Sequence, residues 1–520
     1  MKKTFILFAL TVLLSAATAF ATITLPQIFS DNMMLQRDMP VKVWGDSLSN
    51  AMVEVEFGGQ KKSVKADGKG HWSVRFDKMA ANKTPQEMSI FENGKIAKKI
   101  KNILVGEIWI LGGQSNMEWR TESTTDVKDA AARAKYPNMR YFKQRSNVLA
   151  ETPQKDFPKG AAWSVADGEN IKGFSAVGFY FGEQLMKDLD VPVGLVFAAR
   201  GATMMSCWIP AEDHAKVPFL AKYKENFDKK KAAYTPEVYK QELAKYNEKI
   251  AKANAEDAKL KAEGKKPAVR SWTFRIAPDP MTPLPQWSTP CYLYNSMVAP
   301  LNGFAARGAL WYQGESDTGK ESVVDFDKEF EVLVNAWRKT LENDKLAFLW
   351  VQLASYTAHE GWPQARWKQF QAMRGIKHSG IANIIDCGEK TQIHPQDKTT
   401  VGLRLEKIAM RDVYGVKGLH PYGPIVKNVK YAGDGAEISF FLDGRGLVGK
   451  GEPRGFEVLC GGKWLKASAS LAGEKVSVKS PKGEKVEGVR YLWTDWALPQ
   501  VWLFNKDGLP AFSFTNEAAK

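Results

Sequence analysis

The sequence predicts an α/β protein built around a parallel sheet flanked by helices, with β-sandwich regions at both ends and one helical insertion. The middle of the chain carries short, uninterrupted apolar runs separated by helical stretches, which is the pattern of buried parallel strands. Residues 22–103 and 424–520 instead alternate apolar and polar residues between glycine turns, as sandwich strands do. A chain of 520 residues is long enough for two or three such domains.

The first 21 residues have the pattern of a secretory signal peptide. Lys2 and Lys3 precede an apolar run at 5–14, and Ala19-Phe20-Ala21 fits a small-x-small cleavage site. The apolar run is too short to span a bilayer comfortably, and no later stretch approaches the length of a membrane span. We therefore expect an exported bacterial protein, periplasmic or secreted, without membrane insertion.

The overall composition is that of an ordinary globular protein, with 44% hydrophobic and 25% charged residues. It excludes a disordered chain, a collagen and a membrane bundle. The net charge of +15 permits anionic partners but does not select among them. The four cysteines (Cys207, Cys291, Cys387 and Cys460) form no CxxC pair, which argues against a metal site. The sequence does not decide whether the cysteines form a disulfide or are buried free thiols.

The two terminal regions predict short antiparallel strands. The N-terminal region has alternating segments at 41–45, 53–57 and 71–76. The C-terminal region has them at 437–441, 455–459, 475–479 and 488–493. We expect the first region to dock on or stabilise the rest of the protein, and leave open whether the two regions pack together.

The central region, 104–423, predicts the parallel sheet. Its apolar runs lie at 103–111, 191–199, 308–312, 346–354 and 381–385. Helical stretches alternate with these runs, among them 176–189, with Ser175 as its N-cap, and 326–341. Alternation of this kind places helices on both faces of the sheet.

Residues 212–270 interrupt the alternation with a Lys-rich helical insertion. Thr235 is a helix cap with Pro236 at the first helical position, and one apolar stripe follows at Tyr239, Leu243, Tyr246 and Ile250. The lysines on the other faces favour a solvated helix surface over a nucleic-acid surface. Aromatic residues are absent among the lysines after Tyr246, which argues against a nucleic-acid groove.

Polar clusters follow the predicted strands, where ligand sites of open α/β sheets lie. Ser115 follows two glycines after the first strand, where a helix would begin and its N–H would face a bound oxyanion. Gly201 follows the second strand, and a polar cluster at 311–317 ends the third. His394 precedes a proline after the fifth strand and therefore belongs to a loop. A serine, a late histidine and N–H donors on separate strand ends predict acyl transfer.

These segments resemble the sialate O-acetylesterase family of the SGNH hydrolase superfamily, over essentially the whole mature chain. The resemblance is carried by 113–117 (GQSNM), 200–201 (RG), 311–316 (WYQGES) and 393–395 (IHP), with 29–37 and 505–511 near the ends. It implies an SGNH-type, flavodoxin-like sheet. It also implies Ser115 as the nucleophile and His394 as the general base.

The resemblance further implies an oxyanion hole made of the N–H groups of Ser115 and Gly201 and one side-chain amide. SGNH relatives use an asparagine for the amide, but this chain has Asp317 where close relatives often have Asn. Gln313 is the better amide donor in the sequence, because a carboxylate cannot stabilise a negative oxygen. We therefore predict Gln313 as the third donor.

The triad acid is left open by the sequence. Thr391 and Gln392 stand where the superfamily or close relatives place an aspartate. The carboxylates that could orient His394 are Glu389, Asp386, Glu315 and Asp317. The alternative is a Ser–His dyad oriented by a backbone carbonyl.

The family resemblance implies hydrolysis of an O-acetylated sugar, foremost O-acetylated sialic acid, without a metal or organic cofactor. The substrate-binding candidates are Arg120, Arg200 and Arg366 for a carboxylate, and Trp119, Trp208 and Trp311 for stacking on a sugar. Acetylxylan or another acetylated polysaccharide is the alternative substrate. A glycan-binding protein that has kept an esterase fold without its activity is the alternative class. The oligomeric state is not predicted.

Overall fold

The computed structural model describes residues 23–133, 135–144, 148–358 and 361–517. The predicted signal peptide, 1–21, lies outside the described residues. The protein has a mixed α/β architecture, with a central mixed sheet of eleven strands and several small antiparallel sheets. In the part of the chain that the structure describes, no helix is long and apolar enough to cross a membrane.

The strands and helices follow one another along the chain in three groups. The N-terminal group is β1 Met34–Gln36, β2 Val41–Asp46, β3 Met52–Phe57, β4 Gln60–Lys65, β5 His71–Phe76, β6 Asn82–Glu92 and β7 Lys95–Gly113. The central group is α1 Ser115–Glu118, α2 Val127–Arg133, β8 Lys135–Lys143, β9 Ala162–Asp167, α3 Ala176–Leu189, β10 Val193–Ala199, α4 Pro218–Ala233, α5 Pro236–Ala262, β11 Gly308–Tyr312, α6 Phe326–Thr340, β12 Ala347–Val351, α7 Gly361–Gly375, β13 Ser379–Ala382 and α8 Thr399–Asp412. The C-terminal group is β14 Ile425–Ala432, β15 Gly435–Phe441, β16 Val448–Gly449, β17 Phe456–Cys460, β18 Lys463–Lys466, β19 Ser468–Ala472, β20 Lys475–Lys479, β21 Gly488–Tyr491, β22 Leu503–Phe504 and β23 Phe514–Glu517.

The five predicted parallel strands form the centre of the large sheet. They lie in the order β13-β12-β11-β7-β10, and each neighbouring pair is parallel. Their apolar runs are buried on both faces, as expected for strands covered by helices. The structure adds β8, parallel to β10, and β9, antiparallel to β8, at one edge. The sequence analysis missed both strands, because β8 contains a proline and neither has a continuous apolar run.

Strand β7 joins the N-terminal region to the central sheet. Its first half pairs antiparallel with β6, and its second half pairs parallel with β10 and β11. The predicted boundary at 103–104 therefore falls inside one continuous strand. The apolar core is also continuous, since Val43 and Val55 of the N-terminal strands belong to the same buried cluster as Leu111.

Glu107 fixes this junction through a buried ionic network. Its side chain is fully buried and accepts hydrogen bonds from Arg37 Nε at 2.5 Å and Arg307 Nε at 2.9 Å. Gln36 Nε2 donates to the same carboxylate at 3.0 Å. Three segments distant in sequence thus meet on one carboxylate, which is retained in the interior because its charge is paired and hydrogen-bonded.

We expect Glu107→Ala to lower the free energy of unfolding by about 3 kcal/mol, because it leaves two arginines without their buried partner. This value is the low end for a broken buried pair, since both guanidinium groups reach solvent. The matched control is Glu342→Ala, which removes a surface carboxylate that bonds Lys42 and Arg75. That variant should lose less than about 1 kcal/mol. Denaturant titration measures both values, and equal losses would contradict the role given to Glu107.

The C-terminal strands form a sandwich with its own core. The sheets β14-β15-β20-β19 and β18-β17-β21-β23 both contribute to it, through residues such as Ile438, Val476 and Val458. The region is hydrogen-bonded to the central domain, where Asn383 Nδ2 donates to the Pro510 carbonyl at 3.0 Å and Arg366 donates to the Thr494 carbonyl. It therefore docks beside β13 and α7.

The Lys-rich insertion folds as the two helices α4 and α5. Thr235 caps α5 as predicted, since its side chain accepts a hydrogen bond from the Val238 N–H at 3.3 Å. The predicted apolar stripe is half-buried, while the lysines around it are largely exposed. Tyr246 Oη donates to the Arg275 carbonyl at 2.7 Å, which ties α5 to the returning chain. That returning chain reaches the ends of the central strands.

Candidate active site

The turns that follow β7, β10 and β11 meet at one edge of the central sheet. Gly113, the last residue of β7, is in register with Ala199 of β10 and Tyr312 of β11. The residues after these three positions therefore lie side by side, as the carboxyl ends of neighbouring parallel strands must. Together with the loop that carries His394, they line a cleft of about 1080 Å³.

The turn that presents Ser115 requires glycine at two positions. Gly113 has a φ of +129°, and a Cβ there would lie 2.2 Å from the Tyr312 carbonyl oxygen. A Cβ at Gly112 would lie 2.7 Å from the Trp311 ring. The strand can therefore end in a tight turn only with these residues. Ser115 then opens the short helix α1, at the point the sequence predicts.

Ser115 and His394 are in hydrogen-bonding contact. Ser115 Oγ lies 2.8 Å from His394 Nε2, and both residues line the cleft. The imidazole is stacked on the Trp119 indole, with 4.8 Å between ring centroids and 21° between planes. The two residues singled out from distant parts of the sequence are thus brought together in the geometry of a nucleophile and its base.

The surroundings of His394 favour its neutral form. Burial and, to a smaller extent, the positive charge of Lys398 lower the pKa of His394 from 6.5 to about 4. A neutral imidazole with Nε2 facing a hydroxyl can accept its proton. Both influences act opposite to a triad carboxylate, which would raise the imidazole pKa.

The four carboxylates considered for the triad acid have other partners. Asp386 forms a two-pronged ion pair with Arg404 at 2.6 and 2.8 Å. Glu389 accepts the Gln396 N–H at 2.8 Å. Glu315 accepts a hydrogen bond from Asn116 Nδ2 at 2.5 Å, and Asp317 accepts one from the Met205 N–H at 3.2 Å. The acid stays unassigned, and the contact that the structure describes is a Ser–His pair.

The predicted oxyanion donors differ in their surroundings. The Gly201 N–H faces the Ser115 turn but donates to Glu118 Oε2 at 2.7 Å. The amide of Gln313, the third predicted donor, is buried and donates to the Thr203 carbonyl at 3.0 Å and to Asp317. Both amide hydrogens are used within the protein interior, so this group does not serve the cleft.

Of the three candidate arginines, Arg200 is the one that lines the cleft. Arg120 pairs with Glu122 on the surface at 3.1 Å. Arg366 is fully buried, and its guanidinium donates to backbone carbonyls of the C-terminal sandwich rather than lining the cleft. Burial lowers the pKa of Arg366 to about 9.

Two of the three predicted stacking tryptophans are buried in the core, and the third, Trp119, is half-buried beside His394. Trp208 and Trp311 are fully buried and pack edge to face, with ring centroids 5.9 Å apart. Trp119 has one face on His394. The aromatic residues that line the cleft are Tyr234 and Trp287, which the sequence analysis did not single out.

Residues of the insertion form one wall of the cleft. Tyr234 and Glu242 of the insertion, and the segment 276–279 that follows it, line the cleft together with Ser115. Tyr234 Oη donates to the Asp279 carbonyl at 3.1 Å, which fastens the insertion to this segment. The composition of the insertion indicated a solvated surface and carries no signal for the cleft.

The described residues offer no arrangement for a metal ion, since they include no group of three or more His, Cys, Asp or Glu with suitable geometry. All four cysteines are free thiols, three buried and Cys387 half-buried. Burial raises the pKa of the Cys207 and Cys291 thiols.

The chain is similar to known carbohydrate esterases. A solved carbohydrate acetylesterase from Xanthomonas citri superposes with a TM-score of 0.78 and is 28% identical, covering 96% of this chain and all of that one. The fold and the cleft thus define a carbohydrate esterase. The chain belongs to the carbohydrate esterase, sialic acid-specific acetylesterase family, whose sequence pattern matches residues 105–255 and 281–409. The sialate O-acetylesterases of Rattus norvegicus and Homo sapiens are each 25% identical, over 90% of this chain and 89% and 87% of theirs.

Proposed function

We propose that this carbohydrate esterase removes O-acetyl groups from sugars through an acetyl-serine intermediate on Ser115. The observation that carries the proposal is the 2.8 Å contact between Ser115 Oγ and His394 Nε2 inside the cleft. The order of the five central strands, 2-1-3-4-5 with β7 as strand 1, supports the SGNH-type assignment, since it is the flavodoxin-like order.

The mechanism has two halves. His394 takes the Ser115 proton as Oγ attacks the acetyl carbonyl, and the imidazolium then protonates the sugar oxygen as it leaves. A water molecule, activated by neutral His394, releases acetate from Ser115 in the second half. The Gly201 N–H can hold the carbonyl oxygen in both halves once the Glu118 carboxylate has left it. The Ser115 N–H, at the start of α1, is the second donor.

The acid limb of the pH profile follows from the lowered pKa of His394. Below this pKa the imidazolium cannot accept the Ser115 proton, so activity falls as the pH falls through about 4. We expect kcat/KM for 4-nitrophenyl acetate, which does not titrate in this range, to rise near pH 4. It should level off before the ordinary imidazole value of 6.5. An inflection at 6.5 would contradict the described environment of His394.

O-acetylated sialic acid is the first substrate to test, because the similar curated proteins carry the name sialate O-acetylesterase. Arg200 is the one cationic side chain among the described residues that line the cleft, and it would receive the sialate carboxylate. The guanidinium is only weakly engaged within the protein, at 3.5 Å from Gln286 Oε1. Arg200→Gln should therefore raise KM for sialate and leave KM for a neutral ester nearly unchanged.

Acetylated neutral polysaccharide is the second candidate, favoured by the charge of the cleft. Glu118, Glu242 and Asp279 line the same opening as Arg200, so carboxylates outnumber cations there. Such a lining repels an anionic sugar and leaves a neutral one unaffected.

The experiment measures acetate release from O-acetylated sialic acid and acetylated xylan side by side, with Ser115→Ala as the blank. Release from sialate alone supports the first substrate, and release from xylan alone supports the second. Release from neither by a folded protein overturns the enzymatic proposal and favours a glycan-binding protein.

A further inference from the structure

Asn116, next to the nucleophile, connects three segments of the site. Its side chain is buried, and its Nδ2 donates to the Ile393 carbonyl at 2.9 Å and to Glu315 Oε1 at 2.5 Å. Its Oδ1 accepts from Lys398 Nζ at 2.6 Å. One amide therefore joins the Ser115 turn, the polar cluster after β11 and the loop that carries His394.

The contact with Ile393 acts on the backbone immediately before His394. The residue after His394 is Pro395, which restricts the backbone on the other side. Trp119 stacks on the imidazole ring itself. The position of the ring is thus set by a backbone anchor, a proline and an aromatic face.

Lys398 and Glu315 hold Asn116 from opposite ends of its amide. Lys398 is fully buried and precedes α8, and its ammonium also lies 5.4 Å from the centroid of the Tyr312 ring. Glu315 is nearly as well buried. Burial lowers the pKa of Lys398 to about 7 and raises that of Glu315. Buried ionisable groups of this kind persist only where hydrogen bonds satisfy them, and Asn116 supplies one to each.

We propose that Asn116, anchored by Lys398 and Glu315, is a positioning residue that holds the His394 loop against Ser115, as a triad carboxylate holds the histidine of other serine hydrolases. The proposal rests on the proposed function. It explains how a histidine without a carboxylate partner among the contacts described above can keep a 2.8 Å contact with the nucleophile. In a triad, orientation of the imidazole is one of the two tasks of the acid.

The first test is Asn116→Ala with 4-nitrophenyl acetate as substrate. Loss of the anchor lets the His394 loop shift, and a shift of about 1 Å lowers kcat by roughly 10–100-fold. KM should stay within about threefold, because Asn116 does not line the cleft. The matched control is Asn383→Ala, which removes another buried amide bonded to backbone, at 3.0 Å from the Pro510 carbonyl. It should lower stability and leave kcat unchanged.

A double-variant cycle separates positioning from a general loss of structure. In a His394→Ala background, Asn116→Ala should have no further effect on the residual rate, since it acts through the imidazole. An equal loss in both backgrounds, or an unchanged kcat in the wild-type background, would overturn the proposal. If Asn116→Ala does not fold, Lys398→Met removes the anchor from the other side, and Lys398→Arg should restore part of kcat.

Failure of this inference and failure of the proposed function give different results. If Ser115→Ala and His394→Ala abolish turnover while Asn116→Ala does not lower kcat, the Ser–His mechanism stands and the positioning role falls. If Ser115→Ala keeps full activity, the proposed function itself falls.

Discussion

Ser115→Ala is expected to lower acetate release by roughly 10⁴–10⁶-fold, the range seen when a serine hydrolase loses its nucleophile. The hydroxyl faces the cleft and contacts His394 but has no structural task there, so the fold should be unchanged. Initial rates on 4-nitrophenyl acetate and on an acetylated sugar measure the loss, and circular dichroism checks the fold.

The matched control for this variant is Ser164→Ala. Ser164 Oγ donates to the Tyr141 carbonyl at 3.2 Å on β9, away from the cleft. This variant should keep the wild-type rate. If Ser115→Ala retained more than a tenth of that rate, Ser115 could not be the nucleophile.

His394→Ala is expected to cause the second large loss, again roughly 10⁴-fold or more, because no other group contacts Ser115 as a base in the described structure. Nucleophile and base act as a unit, so the double variant Ser115→Ala/His394→Ala should be no slower than the slower single variant. Additive losses would show that the two residues work independently.

Variants of two candidate triad carboxylates, Glu389 and Asp386, are expected to lower kcat far less than His394→Ala. Glu389→Gln and Asp386→Asn alter groups bonded to the Gln396 N–H and to Arg404 rather than to the imidazole. Each should lower kcat by less than about tenfold. A loss as large as that of His394→Ala from either variant would identify the triad acid and replace the Ser–His pair with a triad.

The sequence was sufficient to predict the five central strands and the residues at their ends. Buried parallel strands have continuous apolar runs, and β7 ends in Gly112 and Gly113, where a larger residue would clash with the neighbouring strand. Strands β8 and β9 were not predicted, because strands with mixed burial lack that signal.

Ser115 and His394 were predicted from motif and context, and the structure places them in contact. Gln313 was assigned to the oxyanion hole by residue type alone. Sequence cannot show that Asp317 and the Thr203 carbonyl occupy its amide. Arg366 and Trp311 were chosen because they lie near motifs in the sequence, and such proximity does not reveal that both side chains are buried.

Two features of the site could not be predicted from the sequence: the part of the cleft lined by the insertion, and the hydrogen bonds of Asn116. Both bring together residues more than one hundred positions apart in the sequence, such as Asn116 and Ile393 in the network and Ser115 and Tyr234 in the cleft. The motif that contains Asn116 indicated the position of the site in the sequence, but not the residues that Asn116 contacts.

Labelling of the wild-type protein by a fluorophosphonate tests the central claim most directly, because this reagent reacts with an activated serine hydroxyl. Peptide mapping locates the label, and residual acetate release is measured in the same sample. We predict one label, on Ser115, with activity lost in proportion and with much slower labelling in His394→Ala. Labelling of another residue with loss of activity, or full activity with Ser115 labelled, would contradict the account.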